Sequence, residues 1–110
     1  MGYYTDFKVV SNCEDVNRNK KIFDRLLQIT GYEFEYDYGD SKCTLSSAKW
    51  YSSDKDMRIL SSEFTDVLFT VYGNGEESGD LWVSYYKNGQ GTEYMRPTIV
   101  YPTPMEDEFK

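Results

Sequence analysis

Hydrophobic and polar positions along this chain change period several times, and the changes divide it into elements. Tyr3 to Val10 (YYTDFKVV) mixes β-branched and aromatic residues in loose alternation, which predicts a first strand. Cap-type residues Asn12, Glu14 and Asp15 then precede Val16, Ile22, Phe23, Leu26, Leu27 and Ile29, an apolar stripe at helical spacing closed by Gly31. This is the main helix. Between Gly31 and Gly39 the period becomes two. On a strand Tyr32, Phe34, Tyr36 and Tyr38 share one face, and Glu33, Glu35 and Asp37 share the other at intervals of about 6.8 Å.

Lys42 to Tyr51 reads as a further strand whose alternation slips between Leu45 and Ala48-Trp50, with Ser46-Ser47 marking a bulge. Ser52-Ser53-Asp54 predicts the cap of a second, shorter helix carrying Met57, Leu60 and Phe64 on one face and Asp56 near its positive end. Val67 to Tyr72 is apolar at both parities, which predicts a central strand buried on both faces. The glycine-rich, acidic run Gly73–Gly79 predicts a mobile connection. Asp80 to Lys87 is another strand, Asn88-Gly89 a tight hairpin turn, and Thr92 to Arg96 a last strand. The order is an α+β, ferredoxin-like split βαβ (β-α-β-β-α-β) with an added C-terminal hairpin strand and two helices on one face of an antiparallel sheet. It forms one domain over residues 1–97, with an extended acidic tail over 98–110 that carries Pro102 and Pro104.

Charge narrows the choice of partner. Nineteen acidic residues stand against twelve basic ones, for a formal charge of −7 with no histidine. Residues 1–31 hold five basic and four acidic side chains, so residues 32–110 hold seven basic against fifteen acidic. A field of that sign repels nucleic acid, and direct nucleic-acid binding is not expected. Arg18, Lys20, Lys21 and Arg25 on the main helix form the one basic cluster, which most simply is a solvated face. No apolar run approaches the length of a membrane span, and no signal-peptide pattern opens the chain, which places the protein in a reducing cytoplasm. Cys13 and Cys43 lack metal-ligand spacing and read as two reduced thiols.

Catalytic chemistry finds little footing. Without histidine a nucleophile would need a lysine or carboxylate base, and neither Ser-x-x-Lys nor Gly-x-Ser-x-Gly occurs. Glu33 and Glu35 have a separation compatible with glycoside hydrolysis, but an exposed strand face implies no pocket for a catalytic acid. Gly73-Asn74-Gly75 is followed by Glu76-Glu77, the wrong charge for a phosphate cradle, and Glu76, Glu77 and Asp80 lack the order of a calcium loop. Neither an enzyme nor a metal or cofactor protein is expected.

Binding has more support. Aromatic residues make up 17% of the chain and eleven are tyrosine, a side chain that contact surfaces favour. Adjacent strand residues face opposite ways, so one member each of Tyr3-Tyr4 and Tyr85-Tyr86 lies off the helix-covered face, leaving an aromatic open face. RNA-recognition domains stack bases on such a face, but their basic signature is missing. The alternating carboxylates can also imitate the spacing of phosphates along a DNA strand. The contact groups are therefore expected to be Glu33, Glu35, Asp37, Glu76, Glu77, Asp80, Tyr85 and Tyr86, meeting a basic protein surface such as a nucleic-acid-binding groove. A homodimer through the open face or an unpaired edge could coexist with this. The alternative is a small-ligand or nucleotide domain joining the aromatic sheet face to the Arg18, Lys20, Lys21 and Arg25 helix.

Ala48-Lys49-Trp50-Tyr51, the helix around Asp56-Met57 and Leu60-Ser61, and Leu68-Phe69 through Gly73-Asn74-Gly75-Glu76-Glu77 to Asp80-Leu81-Trp82 and Lys87-Asn88-Gly89 resemble a group of small phage and mobile-element proteins. The resemblance covers residues 48–89. It implies phage origin and a ferredoxin-like fold, and by analogy an inhibitor of a host protein of the anti-restriction or anti-CRISPR kind.

Overall fold

The computed structural model describes residues 3–37, 39–77 and 79–92. Its elements run β1 (Thr5–Ser11), α1 (Val16–Thr30), β2 (Glu35–Asp37), β3 (Lys42–Ala48), α2 (Ser53–Glu63), β4 (Phe69–Gly75), β5 (Leu81–Lys87) and β6 (Gln90–Gly91). The strands form one six-stranded sheet in the order β2-β3-β1-β4-β5-β6, and every neighbouring pair is antiparallel. The fold class is α+β, consistent with a ferredoxin-like arrangement: β3 lies between β1 and β2, and β1 lies between β3 and β4. Tyr38, the last strand expected over 92–96 (Thr92 apart) and the tail over 98–110 lie outside the described residues.

Local chemistry explains where α1 begins and ends. The Asp15 side chain accepts from the backbone N–H groups of Asn17 and Arg18, satisfying donors that the first turn leaves open. Gly31 closes the helix at φ 74°, a left-handed conformation that favours glycine. Ile22, Phe23 and Leu26 of α1 and Met57 and Leu60 of α2 are fully buried and join Phe7, Val9, Phe69 and Val71 in one core. Each such side chain contributes about 1.5–3 kcal/mol of burial. Val16, assigned above to the apolar stripe, is the first residue of α1 and is 43% exposed.

Four other sequence expectations are corrected. β3 stops at Ala48; Trp50 turns inward and packs edge-on against Phe7 and Phe34, with ring centroids 5.1 and 5.5 Å away. The Ser52 side chain makes no cap hydrogen bond to the helix backbone and instead donates to Asp56, which also accepts the Trp50 indole N–H at 2.8 Å. Val67 precedes β4, and the strand is buried on one face only: Phe69 and Val71 are interior, while Tyr72 and the preceding Leu68 are exposed. Finally, Gly73-Asn74-Gly75 is strand rather than loop, paired with both β1 and β5. These glycines are required by close approach. A side chain on Gly73 would fall on the Trp82 indole, and one on Gly75 would meet Asp80 and Tyr3.

Two turn signals are met as read. The β1–β3 register gains one residue between Leu45 and Ala48, with Ser47 at φ 50°, a bulge at Ser46-Ser47. Asn88 and Gly89 both have positive φ and join β5 to β6.

Candidate functional site

The helices cover one face of the sheet, on which Thr5, Phe7, Val9 and Ser11 of β1 are buried. The residues between them point the other way, and the strand register aligns them across the open face. One row runs Glu35, Thr44, Lys8, Tyr72 and Val83 from β2 to β5. The next, toward the α1 end of β1, runs Asp37, Lys42, Val10, Thr70 and Tyr85. A third, toward the start of β1, runs Asp6, Asn74 and Leu81. Tyr72, Leu81 and Tyr85 are 44%, 43% and 37% exposed, so the β4–β5 side of this face is apolar and aromatic. Between the first and third rows lies a groove of about 640 Å³ reaching from β3 to β5.

Glu35 and Asp37 therefore share a surface with Tyr85. They do not face a purely acidic surround. Asp6, Glu35 and Asp37 are matched on the same face by Lys8, Lys42 and Lys87. Lys42 is the cross-strand partner of Asp37 and forms an ion pair with Asp40 at 3.8 Å, and Lys8 places its ammonium 4.6 Å above the centre of the Tyr72 ring. Glu33 is exposed just ahead of β2.

The second acidic group sits elsewhere and is structurally engaged. β2 and β4 are separated by three strand spacings, about 14 Å. At the β4–β5 tip the Tyr3 hydroxyl donates to Asp80 at 2.6 Å and accepts the Glu77 backbone N–H at 3.0 Å, while Glu76 accepts the Tyr4 backbone N–H at 2.9 Å. The Asp80 carboxylate raises the Tyr3 phenol pKa by holding its proton. These hydrogen bonds join the connection to Tyr3 and Tyr4 ahead of β1. Tyr86, expected as a contact residue, is only 1% exposed; its parity turns it inward, and its hydroxyl donates to Asp54. Tyr85 takes the outward position of that pair.

The helix cations are also divided. Arg18 makes a two-pronged contact with Asp66, and Arg25 another with Glu63, so both bind segments in or beside α2. Arg18 holds the Asp66 carboxyl down to about 2. Because α1 packs on the covered face, its basic residues and the open aromatic face lie on opposite sides of the sheet. They cannot form the single nucleotide site considered above.

Both cysteines are free thiols; Cys43 is buried, and burial pushes its pKa upward. Among the described residues no three His, Cys, Asp or Glu side chains gather where they could hold a metal ion, and no helix is long and apolar enough to cross a membrane. Sequence reasoning missed Lys8, Tyr72, Leu81 and Val83 as residues of the open face. The signal was there for Lys8: buried Phe7 and Val9 flank it at strand spacing. No family model, curated protein or solved structure matches this chain.

Proposed function

We propose that the protein is a non-enzymatic binding module that occludes a surface of another protein, with the open sheet face as its contact surface. The observation that carries this reading is the face itself: an apolar and aromatic area around Tyr72, Leu81 and Tyr85 that no helix among the described residues covers, bordered by charged side chains. An apolar centre with a charged rim is the usual anatomy of a protein interface, and tyrosines near its middle are favoured anchors. Glu33, Glu35 and Asp37 form the acidic border on the β2 side and suit a partner with basic residues, such as the rim of a nucleic-acid-binding groove. The resemblance to phage and mobile-element proteins extends the reading to inhibition of a host protein in an anti-defence role, acting in the host cytoplasm. We read the fold as a ferredoxin-like split βαβ unit made of β1 to β4, to which β5 and β6 add the strands that widen the open face.

The test is a capture from bacterial lysate at low salt with four baits. Wild type and a Lys20→Ala/Lys21→Ala variant on the opposite side recover the same partner. A Tyr72→Ala/Tyr85→Ala variant loses it, and Glu35→Lys/Asp37→Lys weakens it in a salt-dependent manner. A partner retained equally by all the baits defeats the assignment of this face.

A further inference from the structure

We infer that the groove crossing the open sheet face is a binding site for a small planar aromatic molecule bearing one anionic group. Its volume of about 640 Å³ falls within the range of roughly 300–1,000 Å³ typical of small-molecule sites. Its two sides differ chemically. Toward β5 the lining is apolar, from Leu81, Val83 and the Tyr72 ring, and toward β3 it is hydroxylic, from Thr44 and Ser46. A flat apolar body fits the first part.

The charge of the ligand follows from the groove's two ionised side chains. The Asp6 carboxylate accepts the Ser47 backbone N–H at 2.7 Å, a bond that holds the bulge of β3 in place. Its charge is thus directed toward the protein's own backbone. Lys8, two residues along β1, has no such engagement: its ammonium lies over Tyr72 at 4.6 Å and forms no ion pair with a described carboxylate. Arg18, Arg25 and Lys42 each have one. An anionic group at Lys8 would pair with this ammonium while the ring of the same molecule lies along Tyr72 and Val83. Asn74, in the groove beside Leu81, offers an amide to a polar substituent.

This inference concerns a small molecule and stands or falls independently of a protein partner. The probes are 2-naphthoate, the uncharged 2-naphthalenemethanol and the cationic 2-naphthylmethylammonium, titrated into the 15N-labelled full chain and followed through backbone amide shifts. The carboxylate should bind saturably, with shifts concentrated at Lys8, Thr44, Tyr72, Asn74 and Val83. The alcohol should bind about five-fold more weakly, the size of effect one exposed charge pair gives, and the ammonium no better than the alcohol. Lys8→Gln should abolish the preference for carboxylate over alcohol, and Lys8→Arg should keep it. Tyr72→Ala should weaken all three probes. Absence of saturation, shifts mapping elsewhere, tighter binding of the cation, or a carboxylate preference that survives Lys8→Gln would each overturn the assignment.

Discussion

Two acidic groups of this chain look alike as sequence and do opposite things as structure. Glu76, Glu77 and Asp80 sit at the tip between β4 and β5, where side chain or backbone of each joins a network with Tyr3 and Tyr4. Glu33, Glu35 and Asp37 line the β2 edge, all exposed, and the contact Asp37 makes is local: it accepts the Asp40 N–H of the following turn. The difference teaches that acidity alone does not mark a contact surface. At the tip, the Glu76 and Asp80 carboxylates tie Tyr3 and Tyr4 to a hairpin; at the edge, the acids are held outward by aromatic neighbours that the core requires.

That comparison is tested most severely at the tip, where the backbone is packed too closely for a side chain. Gly73→Val drives a branched side chain into the Trp82 indole and should lower the unfolding free energy by about 3 kcal/mol, read from urea denaturation. A tolerated valine would mean that the tip is looser than its contacts indicate. A smaller effect is expected of Tyr3→Phe, which removes the hydroxyl shared by Asp80 and Glu77 and should cost a few degrees in Tm. The pH dependence has a definite sign. Because the phenol donates to Asp80, its pKa lies above the ordinary 10.0, so the bond's contribution is complete below pH 10 and disappears as pH rises through the raised value. Tyr3→Phe should remove that alkaline component of the unfolding profile.

The sequence made the β2 edge easier to read than the tip, for a physical reason. Alternation over Tyr32 to Asp37 reports burial against a neighbouring helix, and it holds: Phe34 is interior, Tyr32 and Tyr36 are half-buried against the core, and the acids between them are exposed. The strand itself is only Glu35–Asp37, because hydrogen bonding needs β3 alongside and the pattern of side chains does not encode that length. Glycine carries two meanings that spacing cannot separate. Asn88-Gly89 signals a turn, whereas Gly73 and Gly75 make room for Trp82 and Tyr3, residues distant or across the strand pair. Tyr85 and Tyr86 were separable by parity as a pair, but which of them faces outward depends on the β4–β5 register. The open face as a site was hidden for the same reason: its rows assemble side chains from five strands, and only pairing brings Glu35, Lys8 and Tyr72 into line.

A third measurement compares the exposed β2 acids with an exposed acid that has a cation. Arg18 holds Asp66 down to about 2 from its ordinary 3.8, so the pair's contribution is present above pH 3.8 and is lost as pH falls toward 2. Arg18→Gln should flatten this part of the acid-unfolding profile. The change should be modest and should shrink further in high salt, since both groups are accessible to water. An unchanged acid limb would show that the pair does not persist in solution.

The smallest effect on stability is expected at the β2 edge itself. Glu33→Gln/Glu35→Gln/Asp37→Asn removes three negative charges while keeping side-chain length and an acceptor for the Asp40 N–H. Neighbouring like charges repel, and their loss reduces a net charge of −7 toward zero. The unfolding free energy should therefore stay within about 0.5 kcal/mol of wild type, with any change in the stabilising direction. Urea midpoints in low and high salt provide the measurement, and high salt should bring the two proteins closer together by screening the repulsion. A clear loss of stability would place these acids in a structural role like that of Asp80. It would also remove the contrast between edge and tip on which their assignment to a contact surface depends.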